Sequence, residues 1–435
     1  MRVCFYTLGC KVNLNETEAL EQLFERSGFT VVPDGEPADV YIVNSCTVTN
    51  FGDQKSRKWL RQAKRKNPGA VTVLTGCYPQ AFPEAAAQLM EADLVCGNTD
   101  RRAILDNVQK LLDGHERIVA IQPHVRGESF EEMPVDRFET HTRAFIKVED
   151  GCNRQCAYCI IPKARGPVRS RSESSILAEL GQLAAAGYRE VVLSAISLPS
   201  YGTDTGTNLY ELIEHCAQVE GIDRIRLGSL DPDMLTEEGI RRLAAVDKLC
   251  PQFHLSLQSG CDSTLRRMRR PYTTAQYLDI VRRIRQAYAG RRVSFTTDCI
   301  CGFPGETEAD FEASCAFLEE VGFLRVHVFP YSRREGTPAF SFPDQIHERE
   351  KQRRSRAMHL RAEEVSLRVL ADLEGTEDEV LLETPVSATV FTGYTRLYVP
   401  ASVSAPGCAS GDIVRVRLGR FDGARVSAAF LEKKT

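Results

Sequence analysis

Ala144-Phe-Ile-Lys-Val-Glu-Asp-Gly-Cys152-Asn-Arg-Gln-Cys156-Ala-Tyr-Cys159 decides how the rest of the chain is read. Its first half is a short apolar run of the kind that forms a buried parallel strand. Its second half sets three thiols at C-x3-C-x2-C spacing. Each thiol can hold one iron of a cubane cluster, and three thiolates leave the fourth iron without a protein ligand. An open iron is a place to bind a small molecule and pass electrons to it. The alternative is a zinc knuckle, but structural zinc takes four ligands, and no Cys or His follows within about ten residues of Cys159.

Working outward, strands are predicted at 144–148, 190–195, 224–227, 253–257, 293–298 and 326–328. Helices fill the gaps, for example 173–186, 274–288 and 308–321. Six β/α units predict an incomplete TIM-type barrel, and in barrels chemistry gathers at the C-terminal ends of strands. The cysteine run directly follows the first strand, where a catalytic loop belongs. Residues 1 to about 112 show an earlier βαβ series. Its strands fall at 3–6, 40–43 and 71–74, and its helices at 13–27, 53–66 and 79–90. A polar stretch, 113–142, reads as a linker. A long charged helix, 346–373, is followed by short β-prone runs at 388–391, 396–399, 413–418 and 425–430, split by Gly and Pro. Those runs predict a small OB-like β-barrel. The expected domains are 1–125, an open α/β unit; 140–370, the partial barrel; and 371–435, the small β-barrel.

Cys10, Cys46 and Cys77 each follow a predicted strand of the first sheet. Parallel strands bring their C-terminal ends to one edge, so three residues far apart in sequence can meet there. Spacing alone leaves two readings, a metal site or cysteines that simply pack.

The run from Cys152 through Ile-Ile-Pro-Lys-Ala-Arg-Gly-Pro-Val-Arg-Ser-Arg171 resembles the signature of radical S-adenosylmethionine (SAM) methylthiotransferases. Within that family it is most similar to the branch acting on threonylcarbamoyladenosine in tRNA. The resemblance resumes at Ser256-Leu-Gln-Ser-Gly260, Gly302-Phe-Pro-Gly-Glu-Thr307 and the 327–338 run, His-Val-Phe-Pro-Tyr-Ser-Arg-Arg-Glu-Gly-Thr-Pro. It implies that Cys152, Cys156 and Cys159 hold a [4Fe–4S] cluster that binds SAM and, once reduced, yields an adenosyl radical. It implies a second, auxiliary [4Fe–4S] cluster at Cys10, Cys46 and Cys77, where a sulfur species is methylated and handed to substrate. It places Tyr158 near the SAM adenine. It makes Arg143, Gln258, Ser259, Asp298, Gly302, Pro304 and Gly305 candidates for the SAM pocket, and it makes the last domain TRAM-like. One segment departs from the family pattern: Ser194-Ala195-Ile-Ser197 stands where a Gly-rich turn is usual, and Lys163 stands where an aromatic is common.

A net charge of −4 on 435 residues announces no global basicity, so an RNA site must be a local patch. Lys55, Arg57 and Lys58 lie on a basic helix; Arg269 lies in a second basic run, 265–270. From Thr384 onward seven Lys/Arg face three Asp/Glu, with Arg396, Arg415 and Arg417 as backbone-contact candidates. The bland reading of each is a solvated or ion-paired face; for Arg333 and Arg334 it is a pair with Glu335. Fifteen cysteines in a chain read as cytoplasmic favour metal ligation over disulfides. Met1-Arg-Val-Cys-Phe-Tyr reads as a first strand, not a secretion signal, and no window is apolar enough for a membrane span. The expected partners are the anticodon loop of tRNA, an external electron donor and a sulfur source. The expected reaction is methylthiolation at C2 of N6-threonylcarbamoyladenosine at position 37. The rivals are isopentenyladenosine in tRNA, an aspartate of a ribosomal protein, or a non-catalytic metal-bearing RNA-binding protein.

Overall fold

A computed structural model describes residues 1–138 and 141–434. Strands β1 (Arg2–Thr7), β2 (Thr30–Val32), β3 (Val40–Ser45), β4 (Val71–Gly76), β5 (Leu94–Cys96) and β6 (Ile118–Ala120) make one parallel sheet, ordered β2-β1-β3-β4-β5-β6. The central strands β3 and β4 are buried along their whole length, as a sheet with helices on both faces requires. Strand order reverses between β1 and β3, which is where open α/β sheets hold ligands.

Strands β7 (Ala144–Lys147), β8 (Glu149–Asp150), β9 (Arg169–Ser170), β10 (Glu190–Ser194), β11 (Arg224–Leu227), β12 (Ser229–Leu230), β13 (Gln252–Leu255), β14 (Ser294–Cys301) and β15 (Arg325–Pro330) build the central unit. The parallel ladders β11-β10-β7 and β12-β13-β14-β15 are joined by a bridge between Ile225 and Leu249. Among the described residues β7 does not pair with β15, so the barrel stays open. All six predicted strand positions are present.

The 24-residue helix Glu348–Ala371 leads to a closed barrel of β16 (Glu377–Pro385), β17 (Val390–Thr395), β18 (Pro400–Ser404), β19 (Ile413–Phe421) and β20 (Val426–Lys433). The structure corrects four readings. The barrel has five strands; β16 hides behind its Glu-Asp-Glu start. The run 396–399 is a turn between β17 and β18, and Tyr398 there takes a left-handed φ of 66°. The predicted helix 79–90 is split at Pro83 into Cys77–Ala81 and Pro83–Ala87, because proline cannot continue the first helix. The stretch read as linker also carries β6.

The helix Lys11–Arg26 seats the first sheet on the barrel. Its Asn15 donates to the Phe145 carbonyl at 2.7 Å. Its Glu16 accepts from Lys147 at 2.8 Å. Across the mouth, Arg334 pairs with Asp53 at 2.8 Å and donates to Thr47 at 2.6 Å. No helix among the described residues is long and apolar enough to cross a membrane.

Candidate active site

Cys10, Cys46 and Cys77 follow β1, β3 and β4, three neighbouring strands of one sheet. Glycine lets their loops converge. Gly9 has φ 115°, and a side chain there would come within 2.9 Å of the Cys46 Cβ. Gly76 has φ 94°, and its Cβ would strike Asn44 at 2.5 Å. Asn13 and Asn44 tie the loops together: the Asn13 amide donates to the Ser45 carbonyl at 3.0 Å, and that of Asn44 to the Asn13 carbonyl at 3.0 Å. Burial pushes the Cys46 thiol up to about 12, and the charges of Cys77 and Cys10 push it the same way. Burial raises the Cys77 thiol as well, with the Cys10 charge pushing the same way, so the three thiols share one neighbourhood.

The second trio sits in the loop after β8. Burial raises Cys152 to about 11 and Cys159 to about 12, again with the neighbouring cysteines adding to the shift. Each trio has a buried guanidinium on one sulfur. Arg165 donates to Cys77 at 3.2 Å, and Arg270 donates to Cys156 at 3.3 Å. Arg270 is itself held by Asp231 and by Tyr272, whose hydroxyl accepts at 3.0 Å. Three thiols plus a fixed cation suit a centre whose net charge is negative. A tetrahedral zinc needs its sulfurs about 3.8 Å apart. Among the described residues no three cysteine sulfurs come within 4.8 Å of one another.

The two trios are physically joined. Cys77 and Ala81 pack with Ile160 and Ala164 in one buried apolar cluster, so the helix that begins at Cys77 lies on the helix that follows Cys159. Cys159 of the second trio lines a cavity of about 220 Å³ that also reaches the segment just past Cys46. Val48 and Thr49, just past Cys46, form one wall; Tyr158, Cys159, Gln258, Asp298, Ile300, Phe329 and Tyr331 form the other. Gln258 holds a left-handed φ of 68°, with its carbonyl accepting from Ile300 N at 2.8 Å. Such strain in a non-glycine residue gathers at functional sites.

Of the residues proposed for the SAM pocket, Tyr158, Gln258 and Asp298 line this cavity and the others do not. Arg143 precedes β7 and therefore lies at the opposite, N-terminal end of the barrel. It pairs with Glu383 at 2.6 Å and stacks on Tyr394 and Tyr398, docking the C-terminal barrel under the floor. The Ser259 hydroxyl is buried against Ser314 at 3.1 Å. The Gly302 and Phe303 N–H groups donate to Glu306 at 2.7 and 3.1 Å, so those donors are spent inside the loop. Gly302, Pro304 and Gly305 instead hold Phe303 behind Tyr158 and Tyr331. Ser197 N donates to Glu149 at 2.8 Å. The other Glu149 oxygen is buried without a partner, and burial holds its carboxyl well above the usual range. That orphan oxygen, near Cys152, had no mark in the sequence.

The basic candidates divide. Lys55, 4.8 Å from the Phe51 ring, and Lys58 are exposed on the helix Asn50–Lys66, and Arg57 stacks on Tyr78 at 5.7 Å. Arg269 is exposed. Arg415 and Arg417 are exposed but bridged to Glu377 at 3.0 and 2.9 Å. Arg396 is committed to the Asp247 and Leu249 carbonyls of the central barrel. Arg334 pairs with Asp53 rather than Glu335, while Arg333 donates to the Phe340 carbonyl at 2.7 Å. The remaining nine cysteines form no comparable loop trio; Cys4, Cys96, Cys216, Cys250, Cys299, Cys301 and Cys315 are buried.

An open parallel barrel with a cysteine trio at its C-terminal mouth defines a radical SAM protein, and residues 146–318 match the Radical SAM superfamily. Residues 2–97 match the Uncharacterized protein family UPF0004. A Kitasatospora setae radical SAM methyltransferase structure, TsrM, superposes with a TM-score of 0.57 at 15% identity, covering 94% of this chain and 83% of that one. Threonylcarbamoyladenosine tRNA methylthiotransferase MtaB of Bacillus subtilis (strain 168) is 37% identical over 96% of this chain and 93% of its own. MtaB of Aquifex aeolicus (strain VF5) is 41% identical over 82% and 87%. A tRNA-2-methylthio-N(6)-dimethylallyladenosine synthase of Carboxydothermus hydrogenoformans is 35% identical over 90% of each. The chain belongs to the radical SAM methylthiotransferase family: it is an enzyme that transfers a methylthio group, working with SAM and a [4Fe–4S] cluster.

Proposed function

We propose that the chain replaces the C2–H of N6-threonylcarbamoyladenosine, at position 37 of tRNA, with C2–SCH3. Cys152, Cys156 and Cys159 hold one [4Fe–4S] cluster, and Cys10, Cys46 and Cys77 hold a second. The observation that carries this reading is that one cavity is lined both by Cys159 of one trio and by Val48 and Thr49, just past Cys46 of the other. The two MtaB relatives carry this substrate in their names, which supports the assignment. When bound, SAM supplies a methyl group to sulfur and, on reduction at the first cluster, the radical that activates C2.

The chain's own residues position these partners. Tyr158, held edge-on by Phe303, walls the cavity where the adenosyl group lies. The buried Glu149 oxygen beside the Cys152 loop offers an acceptor for the SAM ammonium. Phe51 and Val48, exposed at the mouth, give a base an apolar surface, and Lys55 and Lys58 give the anticodon-loop phosphates a cationic one. Arg57 and Arg269 extend that surface, and Arg415 and Arg417, exposed on the C-terminal barrel, offer a separate contact to a more distant part of the tRNA. Residues 1–125, 140–370 and 371–435 act as sulfur-donor, radical and RNA-binding units, supplied in the cytoplasm by an external electron donor and sulfur source. Mass spectrometry of tRNA nucleosides tests the reading. A strain lacking this chain is expected to lose 2-methylthio-threonylcarbamoyladenosine and to regain it from a plasmid copy. Loss of the dimethylallyl nucleoside instead assigns the other tRNA substrate. Unchanged nucleosides reject both.

A further inference from the structure

Among the described residues, one set of side chains gathers more tightly than either cysteine trio. Ligand atoms of His254, Asp298 and His327 all lie within 4.8 Å of one another. They come from three neighbouring strands. Register sets Asp298 on β14 beside His327 on β15, and sets Thr296, two residues earlier on β14, beside His254 on β13. Side chains two apart on a strand share a face, so the three ligands stand on one face of the sheet. Val326 and Val328, the alternate residues of β15, turn into the packed core on the other face.

His254 is oriented from behind. Its Nδ1 lies 3.0 Å from Thr296 Oγ1, which also accepts from the Gln252 amide at 3.1 Å. With its Nδ1 proton donated to Thr296, His254 turns a bare Nε2 lone pair on the Asp298 carboxylate, 3.5 Å away. Nε2 is buried and has no hydrogen-bond partner. A buried lone pair facing a carboxylate is unfavourable unless a cation lies between them. Metal-bound histidines characteristically donate their second ring N–H in this way. Burial holds the His327 imidazole below its ordinary pKa against the pull of Asp298, so at neutral pH it too has a lone pair to give.

The spacing selects the metal. Ligands about 2.0–2.2 Å from a tetrahedral ion stand about 3.4 Å apart. Adjacent ligands of an octahedral ion at the same range stand about 3.0 Å apart. The 3.5 Å between His254 Nε2 and Asp298 Oδ2 fits the tetrahedron. The remaining separations, within 4.8 Å, close by rotation of the exposed His327 side chain. Two imidazoles and a carboxylate with one position left over make a zinc donor set, and zinc binds such ligands more tightly than iron(II) does. We propose that His254, Asp298 and His327 hold a zinc ion, separate from both cysteine trios, with its fourth position left to water or another oxygen ligand. Asp298 also lines the 220 Å³ cavity, which gives the ion an entry path.

The test measures zinc in the full chain after reconstitution with iron and sulfide. Each protein is given one equivalent of zinc, dialysed against a chelator of micromolar zinc affinity and analysed for metals. Wild type is expected to keep about one zinc per chain. His254→Gln and His327→Ala are expected to keep about a tenth of that or less, with iron per chain equal to that of wild type. His327 is exposed on β15, so its truncation leaves the core intact. X-ray absorption at the zinc edge is expected to show nitrogen and oxygen ligands alone, at about 2.0–2.2 Å. A sulfur shell at about 2.3 Å would put the zinc on cysteines and overturn the site. A wild type that keeps no zinc, or variants that keep as much as wild type, would overturn it as well.

Discussion

Arg165 Nε donates to the Cys77 sulfur at 3.2 Å, and the rest of the same guanidinium is closed on Asn13, Glu16 and Asp150 at 2.8, 3.0 and 3.1 Å. The arginine comes six residues after Cys159 and is fully buried, so one side chain ties the loop of one trio to a ligand of the other. Groups of this kind orient metal ligands, and their loss costs about 10–100-fold in metal affinity or activity. Arg165→Gln is expected to weaken iron loading at the Cys10 trio by that factor and to leave the Cys152 trio filled. Arg165→Lys, which keeps the charge but not the fork, falls between. Iron and sulfide per chain at limiting iron, with electron paramagnetic resonance of the reduced protein, measure both. Equal loading in all three proteins would show that the Arg165–Cys77 hydrogen bond does not matter to the cluster.

The two trios also make a counting prediction. Reconstituted wild type is expected to hold about eight irons, and the Cys152→Ala, Cys156→Ala, Cys159→Ala triple variant about four. The reciprocal triple at Cys10, Cys46 and Cys77 gives about four as well. A Cys152-trio variant with no iron at all would mean a single cluster.

How much of this was legible follows from how local each signal is. The Cys152 run and the six barrel strands announce themselves over a dozen residues or fewer, by spacing or by an apolar run between turns. The Cys10 trio needs one more step, the convergence of strand ends, which sheet topology supplies. Glu149, Arg165 and Arg270 reach their sites through loop packing or across the junction of two units, and neither leaves a mark in a linear pattern. Arg143 and Arg396 illustrate the same limit from the other side. An arginine beside a barrel strand or in a basic domain reads as a ligand contact, yet both are consumed by an interface between the two barrels that no single segment reveals. β16 was hidden because its buried residues, Val380 to Leu382, are only a short run behind an acidic start.

That division of arginines yields a contrast in salt dependence. Lys55 and Lys58 are exposed on the helix Asn50–Lys66, where each can neutralise one phosphate. Removing one such cation lowers the slope of log affinity against log salt by about 0.7 to 0.9. Lys55→Ala with Lys58→Ala is expected to flatten the tRNA-binding slope by up to about two. Arg396→Ala leaves the slope unchanged and instead loosens the docked C-terminal barrel, because the Asp247 and Leu249 carbonyls are left without their donor. Filter binding at several salt concentrations, beside thermal melting, separates the two outcomes. A flattened slope in Arg396→Ala would return that arginine to the RNA surface.

Glu16 sits between the two sites, and its titration gives a pH signature to the junction. Burial pushes its carboxyl up, but Arg101, Arg165 and Lys147 outweigh burial and hold it at about 2, against an ordinary 4.5. A carboxyl depressed in the folded state contributes stability that is complete above its unfolded value and is lost as pH falls through the folded one. For Glu16 the contribution is on the order of 3 kcal/mol, present at neutral pH and lost between about 4.5 and 2. Glu16→Gln removes it at every pH and leaves three buried cations short of a partner. The gap in urea midpoint between wild type and Glu16→Gln, followed by circular dichroism on the cluster-free chain, is therefore widest near neutrality and closes below pH 4.5. A gap that stayed constant down to pH 2.5 would mean that the three cations do not depress Glu16, and the electrostatic link between Cys77, through Arg165, and the barrel would have to be abandoned.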